Sequence, residues 1–378
     1  MSPQIEIQII AIIVAVACSL PGVFLVLRKM AMMSDAITHT ILLGIVIAFF
    51  ITNSLTSPLL IIGAALMGVF TVFLTEVLNS TKLVSEDSAI GIVFPLLFSI
   101  AIIIISKYAG SVHLDTDSVL LGELAFATFD RMKIFGVDIG AKAIYSMGII
   151  LVINILFISI FLKELKVVTF DPGLAAVLGF SPALIHYSLM SIVSITAVGA
   201  FESVGSILVI AFMIGPPVSA YLITDDLKWM IILSGIIGGI NGVLGYQFAE
   251  ILDVSIAGSM ALMTGLVFLL VFIFAPQRGF ITIFRRRKFQ KTDFAGKSLM
   301  FHIFNHEGEE NEAIESGLNT IQNHLHWNEH FLRSIIKQLK DEKRIYIKDG
   351  IIKLTEEGRQ YAINSYEEIV SDLSIDKQ

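Results

Sequence analysis

Nine apolar runs, each long enough to cross a lipid bilayer, constrain this chain more than any other feature. A membrane helix needs about 20 apolar residues, because it rises about 1.5 Å per residue across a hydrocarbon core of roughly 30 Å. Hydrophobic residues make up 55% of the 378 residues, which is above the usual level in a soluble domain. The sequence therefore predicts an all-α polytopic membrane protein. The predicted spans cover residues 5–27, 34–52, 57–79, 88–106, 138–162, 182–201, 204–223, 228–249 and 255–275.

Two basic clusters predict the orientation of these spans. Arg28-Lys29 follows the first run, and Arg285-Arg286-Arg287-Lys288 follows the last. Because the cytoplasmic ends of membrane helices are enriched in Lys and Arg, we expect both clusters in the cytoplasm and the amino terminus outside. The 107–130 loop then faces outward. Its acidic residues are Asp115, Asp117, Glu123 and Asp130.

The chain changes character after the last run. Residues 1–280 form the predicted transmembrane domain, residues 281–296 a basic linker, and residues 297–378 a soluble domain on the cytoplasmic side. Within that domain we expect three helices, two strands around an Asp-Gly turn, and a closing helix, an order typical of a small α+β winged helix. The predicted helices cover 297–305, 312–321 and 328–340, the strands lie within 344–354, and the closing helix begins at Thr355.

Asp35 and His39 are the candidate chemical centre of the membrane domain. They lie four residues apart in the second run, so both side chains share one helix face. Ionisable groups are costly in hydrocarbon and usually face a bundle interior or an aqueous path. Mixed carboxylate and imidazole ligands suit Mn²⁺, Fe²⁺ or Zn²⁺, whereas Mg²⁺ and Ca²⁺ prefer oxygen. The alternative is structural: Asp35 caps the helix and His39 hydrogen-bonds to a neighbouring helix.

The loop at 170–180 predicts a short helix between two spans. Asp171-Pro172 favours a helix start, and Gly179 favours its end. Such a helix, lying parallel to the membrane surface, can be moved by another protein that binds to it. The alternative is an ordinary interfacial helix.

A third region runs from Gly199 to Pro217. Its small residues permit close approach between helices, and the Pro216-Pro217 pair frees backbone carbonyls. Glu202 is either a second acidic station on an ion path or a residue at the outer surface. Only two residues separate the runs 182–201 and 204–223, so a broken or re-entrant pair is an alternative to two full spans.

Together, residues 30–44, the loop 170–179 and the run 199–220 resemble the permease subunits of manganese, zinc and iron ABC importers, the ABC-3 family. The resemblance covers residues from about 10 to 275. It implies that Asp35 and His39 help form the cation path. It also implies that the 171–179 segment is the coupling helix that docks into an ATPase subunit. The residues implied in this docking are Asp171, Pro172, Gly173, Ala176 and Gly179. Ser34 stands where the family commonly has glycine.

The resemblance also implies partners. They are a separate ABC ATPase subunit, an extracytoplasmic metal-binding protein that delivers the ion to the outer face, and a second permease subunit, identical or a sister. A further hypothesis is that the acidic 107–130 loop helps to receive the ion there. The chain would be a transport subunit and not an enzyme, lying in the cell membrane among its lipids. Its cargo would be Mn²⁺ first and Zn²⁺ or Fe²⁺ next, and ATP would act only through the partner.

Gly296-Lys297-Ser298 ends like a phosphate-binding loop, but Lys291 occupies the required glycine position.

In the soluble domain, residues 354–362 resemble the end of the winged-helix domain of DtxR-type metalloregulators, and some permeases of the family carry such a tail. Nucleic-acid binding would use basic residues on the third helix and the hairpin, but acidic residues outnumber basic ones across the tail. A regulatory or protein-contact role is at least as well founded. Five of the eight histidines lie here, as solvated surface residues or as a metal sensor: His302, His306, His324, His326 and His330.

Three other functions remain compatible with the sequence. The first is a permease for a metal chelate or a cobalamin-like ligand, which would need a wide polar path. The second is a membrane-anchored regulator whose tail binds DNA. The third is an ion-coupled secondary carrier, which would import its ion without any ATPase.

Overall fold

The computed structural model describes residues 2–54, 57–108, 124, 126–134 and 137–375. These residues form two compact units, Met1–Phe280 and Ile281–Gln378. The acidic loop residues Asp115, Asp117 and Glu123, expected to receive a cation, lie outside the described residues.

The first unit is built almost entirely of helices. In chain order its elements are α1 (Pro3–Leu27), α2 (Ala31–Thr52), α3 (Leu59–Ser80), α4 (Glu86–Tyr108), a 3₁₀ turn (Phe126–Thr128), β1 (Arg131–Ile134), β2 (Val137–Ala141), α5 (Lys142–Ile160), α6 (Leu162–Phe170), α7 (Pro172–Val177), α8 (Pro182–Val204), α9 (Ser206–Ile223), α10 (Leu227–Leu252) and α11 (Ile256–Phe274). Within the described residues, nine of these helices are long and apolar enough to cross a membrane, which confirms the predicted number. They are α1 to α5 and α8 to α11.

Apolar side chains cover the outside of the unit as well as its inside. Leu66 of α3, Ile149 of α5 and Ile236 of α10 are all exposed in the isolated chain. A helix that is apolar on every face is typical of a membrane span, because lipid covers the side that other helices do not. The outer surface therefore fits a bilayer better than water.

Helix α1 lies at the centre of the unit, packed against α5, α8, α9 and α10. A buried hydrogen bond joins it to α5, where the Asn154 side chain donates to the carbonyl oxygen of Ala17 at 2.9 Å. Helices α2 and α3 approach each other at a glycine pair, where a Cβ added to Gly44 would lie 2.3 Å from the carbonyl oxygen of Gly63. Such close backbone contact is possible only with glycine, and it places α2 firmly against its neighbour.

Helices α8 and α9 meet at Gly205, whose φ of +79° is a conformation that favours glycine. Each of the two helices is long and apolar enough to be a span by itself. The structure therefore agrees with two spans here.

The second unit contains α12 (Phe280–His306), α13 (Glu312–Glu315), α14 (Ile321–Leu325), α15 (Glu329–Asp341), β3 (Ile345–Lys348), β4 (Ile351–Leu354) and α16 (Glu356–Ile375). The predicted basic linker at 281–296 and the predicted helix at 297–305 form one continuous helix, α12, so this helix begins before residue 297. The segment is rich in Arg and Lys, which favour helix, and Asp293 and Lys297 form an ion pair of 3.2 Å one turn apart. Its buried Ala295 also joins the core of the unit.

The predicted helix at 312–321 was also wrong, because the chain forms two shorter helices with Gly317 between them. Other predictions for this unit are confirmed. The Asn328 side chain caps α15 by accepting a hydrogen bond of 2.9 Å from the backbone N–H of His330. Strands β3 and β4 pair in antiparallel register, and Asp349 and Gly350 both have positive φ, as a two-residue hairpin turn requires.

Candidate functional site

Asp35 and His39 contact each other in the N-terminal half of α2. Nε2 of His39 lies 3.3 Å from Oδ1 of Asp35, and the two side chains are 21% and 35% exposed. The helix begins at Ala31 with Met30 at its N-cap position, so the alternative in which Asp35 caps α2 is wrong. The pair is therefore held within the helix and not at its tip.

Helix α4 covers the imidazole of this pair with two aromatic rings. The ring centroid of His39 lies 5.1 Å from that of Phe94 and 5.7 Å from that of Phe98. His39 thus meets its neighbouring helix through ring packing. With one side of the imidazole packed and Asp35 partly exposed, the polar atoms of the pair face the surface of this subunit.

Asp35 and His39 lie about one and two turns into α2. Asp35 and His39 are about 6 Å and 12 Å along α2 from Ala31, in a helix of about 33 Å. Met30, in the turn before the helix, is itself buried at 8% exposure. The turn before α2 is only partly covered, because Lys29 is exposed, and His39 lies about a third of the way along its helix.

The separation of the two donor atoms suits one metal ion. Adjacent ligands about 2.1 Å from a metal are roughly 3.0–3.4 Å apart in octahedral or tetrahedral geometry. The 3.3 Å between His39 Nε2 and Asp35 Oδ1 falls in this range. Two donors are half of a tetrahedral shell, so further ligands have to come from water or another subunit.

Glu202 is not brought to this pair. Its side chain is 59% exposed, and Oε1 lies 3.8 Å from Nζ of Lys142, which is itself 3.5 Å from Asp130 Oδ2. These three residues line a cavity of about 640 Å³ that extends to Ile41 and Ile45, in the turns of α2 that follow His39. Glu202 therefore lies beyond the pair, at the surface, and its role as a metal ligand stays a prediction.

The loop at 171–179 forms the short helix that the sequence predicts. Oδ1 of Asp171 accepts a hydrogen bond of 2.9 Å from the backbone N–H of Leu174, Pro172 follows at the first helical position, and Gly179 ends the turn with a φ of +87°. Gly173 and Ala176 are exposed on it. Ala175 is buried and anchors the helix.

The outer face of α7 is apolar. Its exposed large side chains are Leu174, Val177 and Leu178. An exposed apolar group at a short helix that membrane spans hold in place is a suitable docking surface for another protein.

A network of ionisable groups near α7 was missed by the sequence reasoning. Nε of Arg28 donates a hydrogen bond of 3.1 Å to Thr169 Oγ1, and Nη1 lies 3.2 Å from Nδ1 of His186. Nε2 of His186 lies 2.7 Å from Oε1 of Glu76, and the Tyr187 hydroxyl donates to the same carboxylate. Burial lowers the pKa of Arg28 to about 10, so the guanidinium stays charged at neutral pH.

This network lines a cavity of about 430 Å³ between α7 and the residues that precede Asp35. Met30 and Met33, just before Asp35 in the chain, lie on one side, and Pro172 of α7 lies on another. Within the described residues, Oε1 of Glu86 is a buried oxygen without a hydrogen-bond partner in this cavity region. The cavity therefore brings ionisable side chains together between the N-terminal end of α2 and α7.

A sequence signal for these residues did exist. Glu76 and His186 lie inside apolar runs predicted to span the membrane, where ionisable side chains are rare and usually functional. Arg28 served only to orient the first span. Contact between them could not be predicted, because Arg28 and His186 are 158 residues apart.

Replacing Glu76 with glutamine is expected to lower the midpoint of thermal unfolding of the purified chain by several degrees. The change removes the carboxylate that His186 and Tyr187 contact, and removing one partner of a partly buried charge network is destabilising. Roughly 2–4 °C correspond to each kcal/mol in domains of comparable size. Thermal unfolding in detergent measures the effect. Glu250→Gln, at an exposed position of α10, is the matched control, and equal midpoints for both variants would contradict the prediction.

The membrane unit is similar in sequence to known transport proteins. The sequence profile of the ABC 3 transport family matches residues 5–275. The chain is 49% identical over 271 residues to the manganese transport system membrane protein MntD of Bacillus subtilis, covering 72% of this chain and 92% of that protein. It is 40% identical over 353 residues to the zinc transport system membrane protein TroD of Treponema pallidum, covering 93% and 96%.

The chain is also similar to a solved structure. PsaBC from Streptococcus pneumoniae in complex with Fab matches with a TM-score of 0.62 and 28% identity, covering 75% of this chain and 95% of that one. The family match spans the whole membrane unit, including the Asp35–His39 pair and α7. The chain is therefore a multi-pass membrane protein that belongs to the ABC 3 transport family.

Proposed function

We propose that this chain is the permease subunit of an ABC importer for divalent transition metal ions, with Mn²⁺ first and Zn²⁺ or Fe²⁺ next. The observation that carries the proposal is a carboxylate–imidazole pair at metal-ligand spacing inside a span of a chain whose relatives are named for manganese and zinc transport. The donor set fits these ions better than Mg²⁺ or Ca²⁺.

The Asp35–His39 pair would hold the partly dehydrated cation during passage. The Asp35 carboxylate compensates part of the lost hydration energy, and the His39 ring adds a nitrogen donor that favours transition metals. Two permease subunits facing each other would supply four donors. The partly exposed polar edge of the pair supports this arrangement, because a second subunit can complete the shell there.

The ATP-dependent step would act through α7. An ATPase subunit would dock on the apolar face formed by Leu174, Val177 and Leu178. Movement of α7 would reach the pair across the cavity lined by Pro172 and Met33. In the proposed orientation α7 faces the cytoplasm, and an extracytoplasmic metal-binding protein delivers the ion at the opposite side, where Glu202 and Asp130 would meet it first.

For the C-terminal unit we infer a cytoplasmic winged-helix-like domain over residues 297–378, with 281–296 as the first part of α12. The hairpin between α15 and the closing helix α16 supports this fold. The 353-residue match to the Treponema pallidum relative must extend into this unit. A regulatory role is favoured over DNA binding, because basic groups that DNA would need are engaged by carboxylates. Lys353, for example, lies 3.1 Å from Glu312, and this contact raises its pKa.

Uptake measurements in cells test the proposal. The chain is expressed with its ATPase and binding-protein partners in a host that lacks its own manganese importer, and accumulation of radioactive Mn²⁺ is followed. We expect uptake that disappears when the ATPase is omitted and that excess Zn²⁺ or Fe²⁺ reduces. Uptake that persists without the ATPase would indicate a secondary carrier, and uptake only of a chelated metal would indicate a chelate permease.

A further inference from the structure

Three histidines and one glutamate meet in the C-terminal unit. His302 and His306 lie one turn apart on α12, with their ring centroids separated by 4.9 Å. Oε2 of Glu315, at the end of α13, lies 3.6 Å from Nε2 of His302 and 3.1 Å from Nδ1 of His324 in α14. His302, His306 and Glu315 each offer one ligand atom within 4.8 Å of the others.

The geometry resembles a metal shell more than a set of surface histidines. Ligands about 2.1 Å from a tetrahedral metal are roughly 3.4 Å apart, and the Glu315 oxygen has one imidazole nitrogen slightly closer and one slightly farther than that. Two of the histidines reach this one oxygen from different helices. The side chains of the four residues are 18–33% exposed, so an ion can enter from solvent.

A second carboxylate supports one of the rings. Nδ1 of His306 lies 2.8 Å from Oε2 of Glu309. A carboxylate on one ring nitrogen fixes the ring and makes the other nitrogen a better metal donor, an arrangement common behind metal-bound histidines. His324 joins the group through its 3.1 Å contact with Glu315, although its residue is exposed. His326 and His330 are exposed and are not part of the group.

We propose that His302, His306, His324 and Glu315 form a binding site for a divalent transition-metal cation in the C-terminal unit. Three imidazole nitrogens and one carboxylate oxygen suit Zn²⁺ best and accept Co²⁺, Fe²⁺ or Mn²⁺, whereas they are a poor set for Mg²⁺ and Ca²⁺. A bound ion ties α12 to the segment that contains α13 and α14. Its occupancy therefore stabilises one arrangement of these helices in proportion to the free metal concentration.

Metal binding to the purified full-length chain in detergent tests the site. Because Asp35 and His39 are also candidate ligands, all proteins carry Asp35→Asn and His39→Gln, and binding is measured by equilibrium dialysis against ZnCl₂. We expect about one equivalent of Zn²⁺ per chain. Adding His302→Gln and His306→Gln should weaken this binding by about 100-fold or more, since loss of outer-shell partners alone costs about 10- to 100-fold.

The matched control adds His326→Gln and His330→Gln, which removes the same number of histidines from the same unit. This control should keep the full Zn²⁺ affinity. Equal affinity in the cluster variant and the control would overturn the proposal, whether both bind or both fail.

A spectroscopic measurement separates loss of the site from loss of the fold. With Co²⁺ in place of Zn²⁺, the protein that retains the cluster should show visible absorption typical of a four-coordinate ion with imidazole ligands. Glu315→Gln changes one ligand without removing a histidine, and it should alter this absorption while leaving the circular dichroism spectrum unchanged. An absorption spectrum identical with and without Glu315 would also overturn the proposal.

Discussion

Exchanging Asp35 for asparagine, or His39 for glutamine, is expected to reduce ATP-dependent manganese accumulation to the background of cells that lack the chain. Both changes keep nearly the size and polarity of the side chain but remove a metal donor. Asp35→Asn also removes the negative charge that offsets dehydration of the cation. Each loss should weaken the bound state by about 100-fold or more, since loss of an outer-shell partner alone costs about 10- to 100-fold.

The measurement is radioactive Mn²⁺ uptake at equal amounts of membrane-inserted protein. Asp253→Asn is the matched control, because it makes the same chemical change at the exposed end of α10 and should leave uptake near the wild-type level. Normal import by both Asp35→Asn and His39→Gln would show that the pair has no part in the cation path. A variant with lower uptake but wild-type affinity for Mn²⁺ would assign the residue to the conformational cycle instead.

The pair itself could be predicted because both residues belong to one helix. An i, i+4 spacing determines a shared face without any knowledge of tertiary structure. What the sequence did not predict is the burial of Met30, in the turn that precedes the helix and lies outside the apolar runs. The covering rings, Phe94 and Phe98, come from α4 and depend on how α2 and α4 pack.

The number and type of membrane helices could also be predicted, because each apolar run is a local property of the chain. In the C-terminal unit the local signals were sufficient for Asn328 and for the Asp349-Gly350 turn. At 281–296 the clustered positive charge indicated a linker, and the structure extends α12 through these residues.

Sites assembled from distant segments were beyond the sequence. The Tyr187 hydroxyl and the Glu76 carboxylate meet across 111 residues, and no spacing rule connects them. In the C-terminal unit, His302 and His306 show a one-turn spacing in the sequence. Glu315 joins them only because the chain turns back after α12.

Replacing Val177 with aspartate is expected to separate the permease from its ATPase. Val177 is 84% exposed on α7, so the change creates no buried charge in the isolated chain and the membrane unit should fold normally. In the proposed complex, the same carboxylate would be forced into an apolar contact and would lose its hydration, which costs several kcal/mol. Co-purification of the ATPase and ATP-dependent Mn²⁺ uptake should both fall by at least about tenfold.

Leu83→Asp is the matched control for this experiment. Leu83 is 86% exposed in the loop between α3 and α4, so it receives the same charge at equal exposure but outside α7. We expect this variant to keep its ATPase and its uptake. Equal loss in both variants would mean that any added charge on this surface disturbs assembly, and unchanged uptake in Val177→Asp would remove α7 from the docking surface. In Val177→Asp the Asp35–His39 pair is intact. Loss confined to this variant would therefore show that docking of the ATPase and binding of the cation depend on different residues.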